Sequence, residues 1–126
     1  MKVSQVMSKA IVIEDSISLK EASKIMANKG ITNLIIAIDG KIMGIITDSD
    51  IIRNISNIDD KVSKVMSKKV ITVDADQEIK EAGEIMIDKN LRRLPVTKNG
   101  KLAGAINFID VIKHAGYSEE GDFFFN

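Results

Sequence analysis

The sequence contains one pattern twice, and this duplication constrains the fold more than any other feature. VSQVMSK at 3–9 returns as VSKVMSK at 62–68, and DGKIMGIITDSDII at 39–52 returns as NGKLAGAINFIDVI at 99–112. From Leu19 onward the second copy runs 60 positions later, and 13 of 36 residue pairs are identical. The chain is therefore a tandem duplication, and its fold must build the same unit twice.

The length of the repeat restricts how the copies pack. Two copies are too few for a solenoid. A unit of about 60 residues buries so little apolar surface that it is only marginally stable alone. We therefore expect an α/β (α+β) protein in which two repeats, 1–58 and 59–116, pack about a pseudo-twofold axis. A tail at 117–126 follows them.

The residue pattern within each copy predicts the order strand, helix, strand, strand, helix. A short apolar run opens each copy, and apolar residues then recur at the spacing of one helical face. Ser18 and Glu21 form a capping box ahead of the first helix, and Asp76 is the expected N-cap of its second-copy counterpart. DG at 39–40 and NG at 99–100 favour the two-residue turn of a β-hairpin.

Composition excludes several classes of function. The chain has no cysteine and a single histidine, so thiolate chemistry and a histidine metal site are not expected, and neither is an enzyme. Eighteen basic and eighteen acidic side chains balance, which argues against binding nucleic acid through bulk charge. No apolar window has the length of a membrane span or a signal peptide, so we expect a cytoplasmic protein.

A short polar motif recurs where the last strand of each copy passes into its last helix. Thr47-x-x-Asp50 in the first copy corresponds to Asn107-x-x-Asp110 in the second. Helix capping alone explains the first position. A strand-to-helix junction also presents free backbone N–H groups to an anion, and a carboxylate can accept both hydroxyls of a ribose. The motif therefore predicts a nucleotide site at each junction.

The duplicated pattern resembles a tandem pair of cystathionine β-synthase (CBS) domains, a Bateman module, over residues 1–115. The resemblance is carried by the VMS-K openings, ITV at 71–73, RRLPV at 92–96 and GIITxxD at 44–50. It implies a regulatory module that binds AMP, ADP, ATP or S-adenosylmethionine in clefts between the repeats and requires no cofactor. It also implies a homodimer that passes a signal to an effector protein in trans.

The resemblance further implies ligand-binding roles for residues at matching positions. The two acids match the ribose-binding residue, the arginines match phosphate contacts, and the first strands match backbone that reads the adenine edge. The residue at each helix start matches a contact to ribose or phosphate. The residues concerned are Thr47, Asp50, Asn107, Asp110, Arg92, Arg93 and Pro95, with Ile11, Val12, Ile13, Ile71, Thr72 and Val73 from the first strands.

The copies differ in ways that predict two unequal sites. The first has ITNLIIA at 31–37 where the second has LRRLPVT at 91–97, so only the second carries the basic pair and the proline. Two other interpretations stay open at this level. One is an interaction scaffold with degenerate pockets and solvated arginines, and the other, weaker one is a nucleic-acid binder with a local basic face.

Overall fold

The structure, a computed structural model, describes residues 1–114; the predicted tail at 117–126, with its three phenylalanines, lies outside the described residues. The chain forms two compact units. The first-copy unit comprises Ile11–Val70, and the second-copy unit comprises Met1–Ala10 together with the chain from Ile71 onward. Within residues 1–114, no helix combines the length and apolar character needed to cross a bilayer.

The first-copy unit has the predicted order of elements. They are β1 (Val12–Ile13), α1 (Leu19–Lys29), β2 (Asn33–Ile38), β3 (Lys41–Thr47) and α2 (Asp48–Arg53). The sheet order is β1-β2-β3, with β2 parallel to β1 and antiparallel to β3. The unit is thus a small mixed sheet whose apolar face packs against helices.

The second-copy unit repeats this arrangement and confirms the predicted mixed α and β fold of two repeats. Its elements are β4 (Val73–Asp74), α3 (Ile79–Lys89), β5 (Arg93–Lys98), β6 (Lys101–Asn107) and α4 (Phe108–His114). The sheet order is β4-β5-β6, again parallel and then antiparallel.

Local signals at the ends of elements are mostly confirmed. The hairpins turn at Asp39 and Asn99, which have φ of 50° and 53°. Ser18 caps α1 through the predicted box with Glu21. The prediction that Asp76 caps α3 is wrong. The N-cap of α3 is Glu78, whose side chain makes no capping bond, and the first helical N–H of α3 donates to the Met1 carbonyl at 3.0 Å.

The two opening motifs are exchanged between the units. The motif at 3–9 packs into the core of the second-copy unit, and the motif at 62–68 packs into the core of the first-copy unit. Val62 is fully buried in the first-copy core, and Val3 is fully buried in the second-copy core. Backbone bonds hold both segments, from Val62 N–H to the Ile17 carbonyl at 2.9 Å and from Val3 N–H to the Gln77 carbonyl at 2.8 Å. The compact units are therefore offset by one segment from the sequence repeats.

Each opening segment then crosses the last strand of the unit into which it packs. The segment at Ser8 crosses β6 at Gly104, and the segment at Ser67 crosses β3 at Gly44. Ser8 exchanges two backbone hydrogen bonds with Ala105, at 2.8 and 2.9 Å. A Cβ on Gly104 would lie 2.7 Å from the Ser8 carbonyl oxygen, and one on Gly44 would lie 2.9 Å from that of Ser67. Only glycine leaves room for this crossing, which explains why the G of both GIIT and GAIN recurs.

Candidate ligand site

In both units a backbone hydrogen bond ties the start of the last helix to the residue that precedes the middle strand. The Asp48 N–H donates to the Thr32 carbonyl at 2.9 Å, and the Phe108 N–H donates to the Arg92 carbonyl at 2.8 Å. The junction predicted from sequence is therefore a real meeting point of three elements. Its chemistry is different in the two units.

In the first-copy unit the junction is closed by its own hydrogen bonds. The Asp50 carboxylate accepts from the Thr47 N–H at 2.9 Å and from the Arg53 guanidinium at 2.6 Å. Thr47 Oγ1 accepts from the Asp50 N–H, and the Asp48 carboxylate accepts from the Ser49 N–H. The first N–H groups of α2 all have partners, so the expectation of free N–H groups for an anion is wrong here.

In the second-copy unit the junction is open. Asn107 Nδ2 lies 3.4 Å from Asp110 Oδ2, a long and weak hydrogen bond. Within residues 1–114, Asp110 Oδ1 has no hydrogen-bond donor, and Lys113, which corresponds to Arg53, makes no ion pair. Among the described residues, one oxygen of the Asp110 carboxylate is thus available to accept from a ligand.

Two arginines stand beside the open junction. Arg93 begins β5 directly opposite Asn107 of β6, so both side chains leave the same face of the sheet. Arg93 is half-buried, and desolvation lowers the pKa of its guanidinium. Among the described residues no carboxylate lies within ion-pair distance of Arg93. A partly desolvated cation of this kind is stabilised by an anionic ligand.

A pocket of about 500 Å³ lies at the open junction and is lined by Arg92, Asn107, Phe108 and Ile109. This volume is within the range typical of small-molecule sites. Sequence reasoning missed Phe108 and Ile109. The available signal was their correspondence to polar residues, Asp48 and Ser49, in the first copy. These changes convert a self-capping polar helix start into an apolar pocket wall.

The first strands lie partly where they were predicted. β1 falls within the predicted run, with Val12 exposed, Ile13 buried and Ile11 just before it. The second-copy strand begins two residues later than predicted, because β4 starts at Val73 and leaves Ile71 and Thr72 outside.

Pro95 explains this displacement. The parallel register pairs Val73 with Val96, which would place Thr72 beside Pro95. Proline has no N–H to donate to a neighbouring strand, so the pairing starts one residue later than in the first copy. Pro95 itself is buried within β5. Its effect on the site is to leave the backbone before Val73 outside the sheet ladder.

Comparison with known proteins identifies the family. The family model for the CBS domain matches the chain twice, at residues 3–57 and 62–117. The chain belongs to the CBS domain family. The two matches make it a CBS pair, as the sequence resemblance indicated, and each match contains one of the two junctions.

Curated relatives of this CBS pair are longer proteins. A 17.7 kDa protein of Acidianus ambivalens is 37% identical over an alignment of 118 positions that covers 89% of this chain and 71% of the relative. MJ1232 of Methanocaldococcus jannaschii is 37% identical over 80% of this chain and 34% of its own length. A homoserine O-acetyltransferase of Methanohalobium evestigatum is 34% identical over 79% of this chain but only 21% of the enzyme.

Solved CBS pairs share the fold. The CBS domain pair of MJ0100, solved in complex with 5′-methylthioadenosine and S-adenosyl-L-methionine, has a TM-score of 0.78 and 28% identity. The alignment covers 94% of this chain and 98% of that one. CBSX2, solved in complex with AMP, has a TM-score of 0.81 at 21% identity and covers 94% of this chain and 98% of its own.

Proposed function

We propose that this CBS pair is a regulatory module that binds an adenosine-containing ligand at the second-copy junction. The observation that carries the proposal is the difference between the two acids: both Asp50 oxygens are occupied by the protein, whereas Asp110 has an oxygen with no partner in residues 1–114. The ligands of the related MJ0100 pair, both adenosine derivatives, support the ligand class.

The chemistry of the junction matches such a ligand group by group. A carboxylate accepts two hydroxyl donors, which suits the 2′ and 3′ hydroxyls of ribose on Asp110. Guanidinium groups bind phosphate or carboxylate with paired hydrogen bonds, so Arg92 and Arg93 would hold the charged end of an adenine nucleotide or of S-adenosylmethionine. The apolar side chains of Phe108 and Ile109 would line the space between these polar ends.

Regulation would follow from differential binding. A ligand shifts a protein between two states only by the difference in its affinity for them. We propose that the ligand-bound pair acts as a homodimer that signals to an effector protein. The effector could be a separate chain or, as the length of the relatives suggests, a further domain of the same protein.

The experiment that tests this proposal is thermal unfolding with AMP, ADP, ATP, S-adenosylmethionine, 5′-methylthioadenosine and GTP in turn. A ligand at about 100 times its Kd adds roughly 2.7 kcal/mol to stability, a shift of several degrees. We expect at least one adenosine ligand to raise the Tm and GTP to leave it unchanged. Unchanged traces with all six at millimolar concentration would favour the interaction scaffold instead.

A further inference from the structure

Next to the pocket at the second-copy junction lies a second cavity with exposed apolar residues around it. This second cavity, of about 280 Å³, shares Arg92 and Phe108 with the first and is also lined by Ile87 of α3 and by Leu91, which follows that helix. Ile87 and Ile109 are 53% and 56% exposed in the described residues. An apolar surface of this kind with a cation at its edge suits a segment that carries aromatic and acidic side chains.

The chain itself supplies such a segment directly after α4. Residues 115–126 read AGYSEEGDFFFN, with acids at Glu119, Glu120 and Asp122 followed by phenylalanines at 123–125. These acids complement the cationic edge at Arg92.

The segment is long enough to return from the end of α4 to the pocket. The described part of α4 rises about 9 Å from Phe108, at the pocket, to His114. Eight residues, 115–122, span up to about 28 Å when extended. The phenylalanines can therefore reach the pocket even if several intervening residues form a turn.

We propose that the C-terminal segment docks on this pocket of its own chain. A phenylalanine of 123–125 enters beside Ile109, and the acids face Arg92. Because Arg92 and Ile109 also line the proposed ligand site, the docked segment and the ligand exclude each other. The competition rests on the proposed function; the docking does not, and the two are tested separately.

Docking is tested by disulfide trapping, for which the absence of native cysteine gives a clean background. Ile109→Cys with Phe124→Cys, oxidised mildly at low protein concentration, is expected to give an intramolecular disulfide that migrates as a compact monomer on a non-reducing gel. The matched control is Lys101→Cys with Phe124→Cys. Position 101 is exposed and lies at the far end of β6, about 20 Å from Asn107.

Two results would overturn the docking proposal. One is a rate of trapping no greater at position 109 than at position 101. The other is a disulfide found only between two chains, which would assign the pocket to the segment of a second copy. Ile109 is largely exposed, so its replacement is not expected to prevent folding.

Competition is tested with AMP as the probe. Replacing all three phenylalanines by serine is expected to raise AMP affinity several-fold, because a competing bound state is removed. AMP is also expected to slow disulfide trapping at position 109. Trapping without any AMP binding would retain the docking and reject the proposed ligand. AMP binding with unchanged affinity in the serine variant, and no trapping, would reject the docking and retain the ligand.

Discussion

Three residue differences between the copies determine how far the acid at each junction is hydrogen-bonded by the protein. Arg53, Thr47 and Asp48 in the first copy correspond to Lys113, Asn107 and Phe108 in the second. The first set bonds to the Asp50 carboxylate or to the N–H groups around it. A ligand at Asp50 would have to displace these bonds, whereas a ligand at Asp110 would replace, among the described residues, little more than a 3.4 Å contact. The same fold therefore has a structural junction in one unit and a candidate binding junction in the other.

The first prediction concerns capping. Thr47→Ala removes the side-chain acceptor of the Asp50 N–H and is expected to lower the free energy of unfolding by about 1 kcal/mol. The matched variant Asn107→Ala removes only a long hydrogen bond and is expected to cost less than about 0.5 kcal/mol. Urea denaturation followed by circular dichroism measures both. Equal losses would contradict the difference between the junctions.

The second prediction concerns the charged end of the ligand. Arg93→Ala is expected to weaken AMP binding about 10- to 100-fold, since a charge-assisted hydrogen bond contributes about 1.5–3 kcal/mol. Binding of adenosine, which has no phosphate, is expected to change by less than about threefold. The control is Arg53→Ala, which removes an arginine bonded within the first-copy junction and is expected to leave AMP affinity unchanged. Calorimetric titration measures all three. An equal loss for AMP and adenosine would assign Arg93 a structural role.

At the scale of elements, much of the fold could be predicted because its signals are local. The helix periodicity, the capping box of α1 and the hairpin dipeptides each act within a few residues of the chain. The errors come from partners distant in sequence. The start of α3 bonds to the Met1 carbonyl, which the pattern around Asp76 does not reveal. The start of β4 depends on Pro95 in a neighbouring strand.

The candidate site could be predicted in part for the same reason. The spacing of Asp50 and Asp110 in the two copies located both junctions, and RRLPV indicated which copy is basic. Whether each acid is bonded by the protein depends on side-chain geometry that the motif alone does not specify. The pocket wall formed by Phe108 and Ile109 was likewise hidden, because apolar residues at a helix start are typical of a core.

The third prediction tests the crossing of the opening segment over β6. Gly104→Ala places a Cβ 2.7 Å from the Ser8 carbonyl oxygen, so the backbone must shift. We expect a loss of about 1–3 kcal/mol, as for other overpacked sites. Ala103→Ser, one residue earlier at an exposed position, is the control. Thermal unfolding measures both variants. A native Tm for Gly104→Ala as well as for Ala103→Ser would contradict the close crossing at Gly104.

The fourth prediction tests the offset between sequence repeats and compact units. Val62 is fully buried in the first-copy core, so Val62→Ala is expected to cost about 2 kcal/mol from lost burial and the remaining cavity. Val12→Ala, at a position that is 43% exposed, is expected to cost less than about 1 kcal/mol. Hydrogen exchange should show the loss within Ile11–Val70. A loss confined to the other unit would contradict the assignment of Val62.

At the scale of the whole molecule, the duplication gave two copies of a junction and divergence left one of them open. A pair with a single strong site is expected to bind one ligand per chain. Under the proposed function, the effect on an effector is limited by one coupling free energy, typically about 1–3 kcal/mol in allosteric proteins. A stoichiometry of one adenosine ligand per chain is the corresponding expectation.

The most direct measurement is calorimetric titration of the tightest adenosine ligand into the wild-type chain, Asp110→Ala and the matched variant Asp50→Ala. Loss of two charge-assisted hydrogen bonds to ribose is expected to weaken binding by Asp110→Ala about 100-fold or more. Asp50→Ala is expected to bind within about threefold of wild type, because its carboxylate already bonds to Thr47 and Arg53. Undiminished binding by Asp110→Ala, or a loss confined to Asp50→Ala, would contradict the assignment of the site.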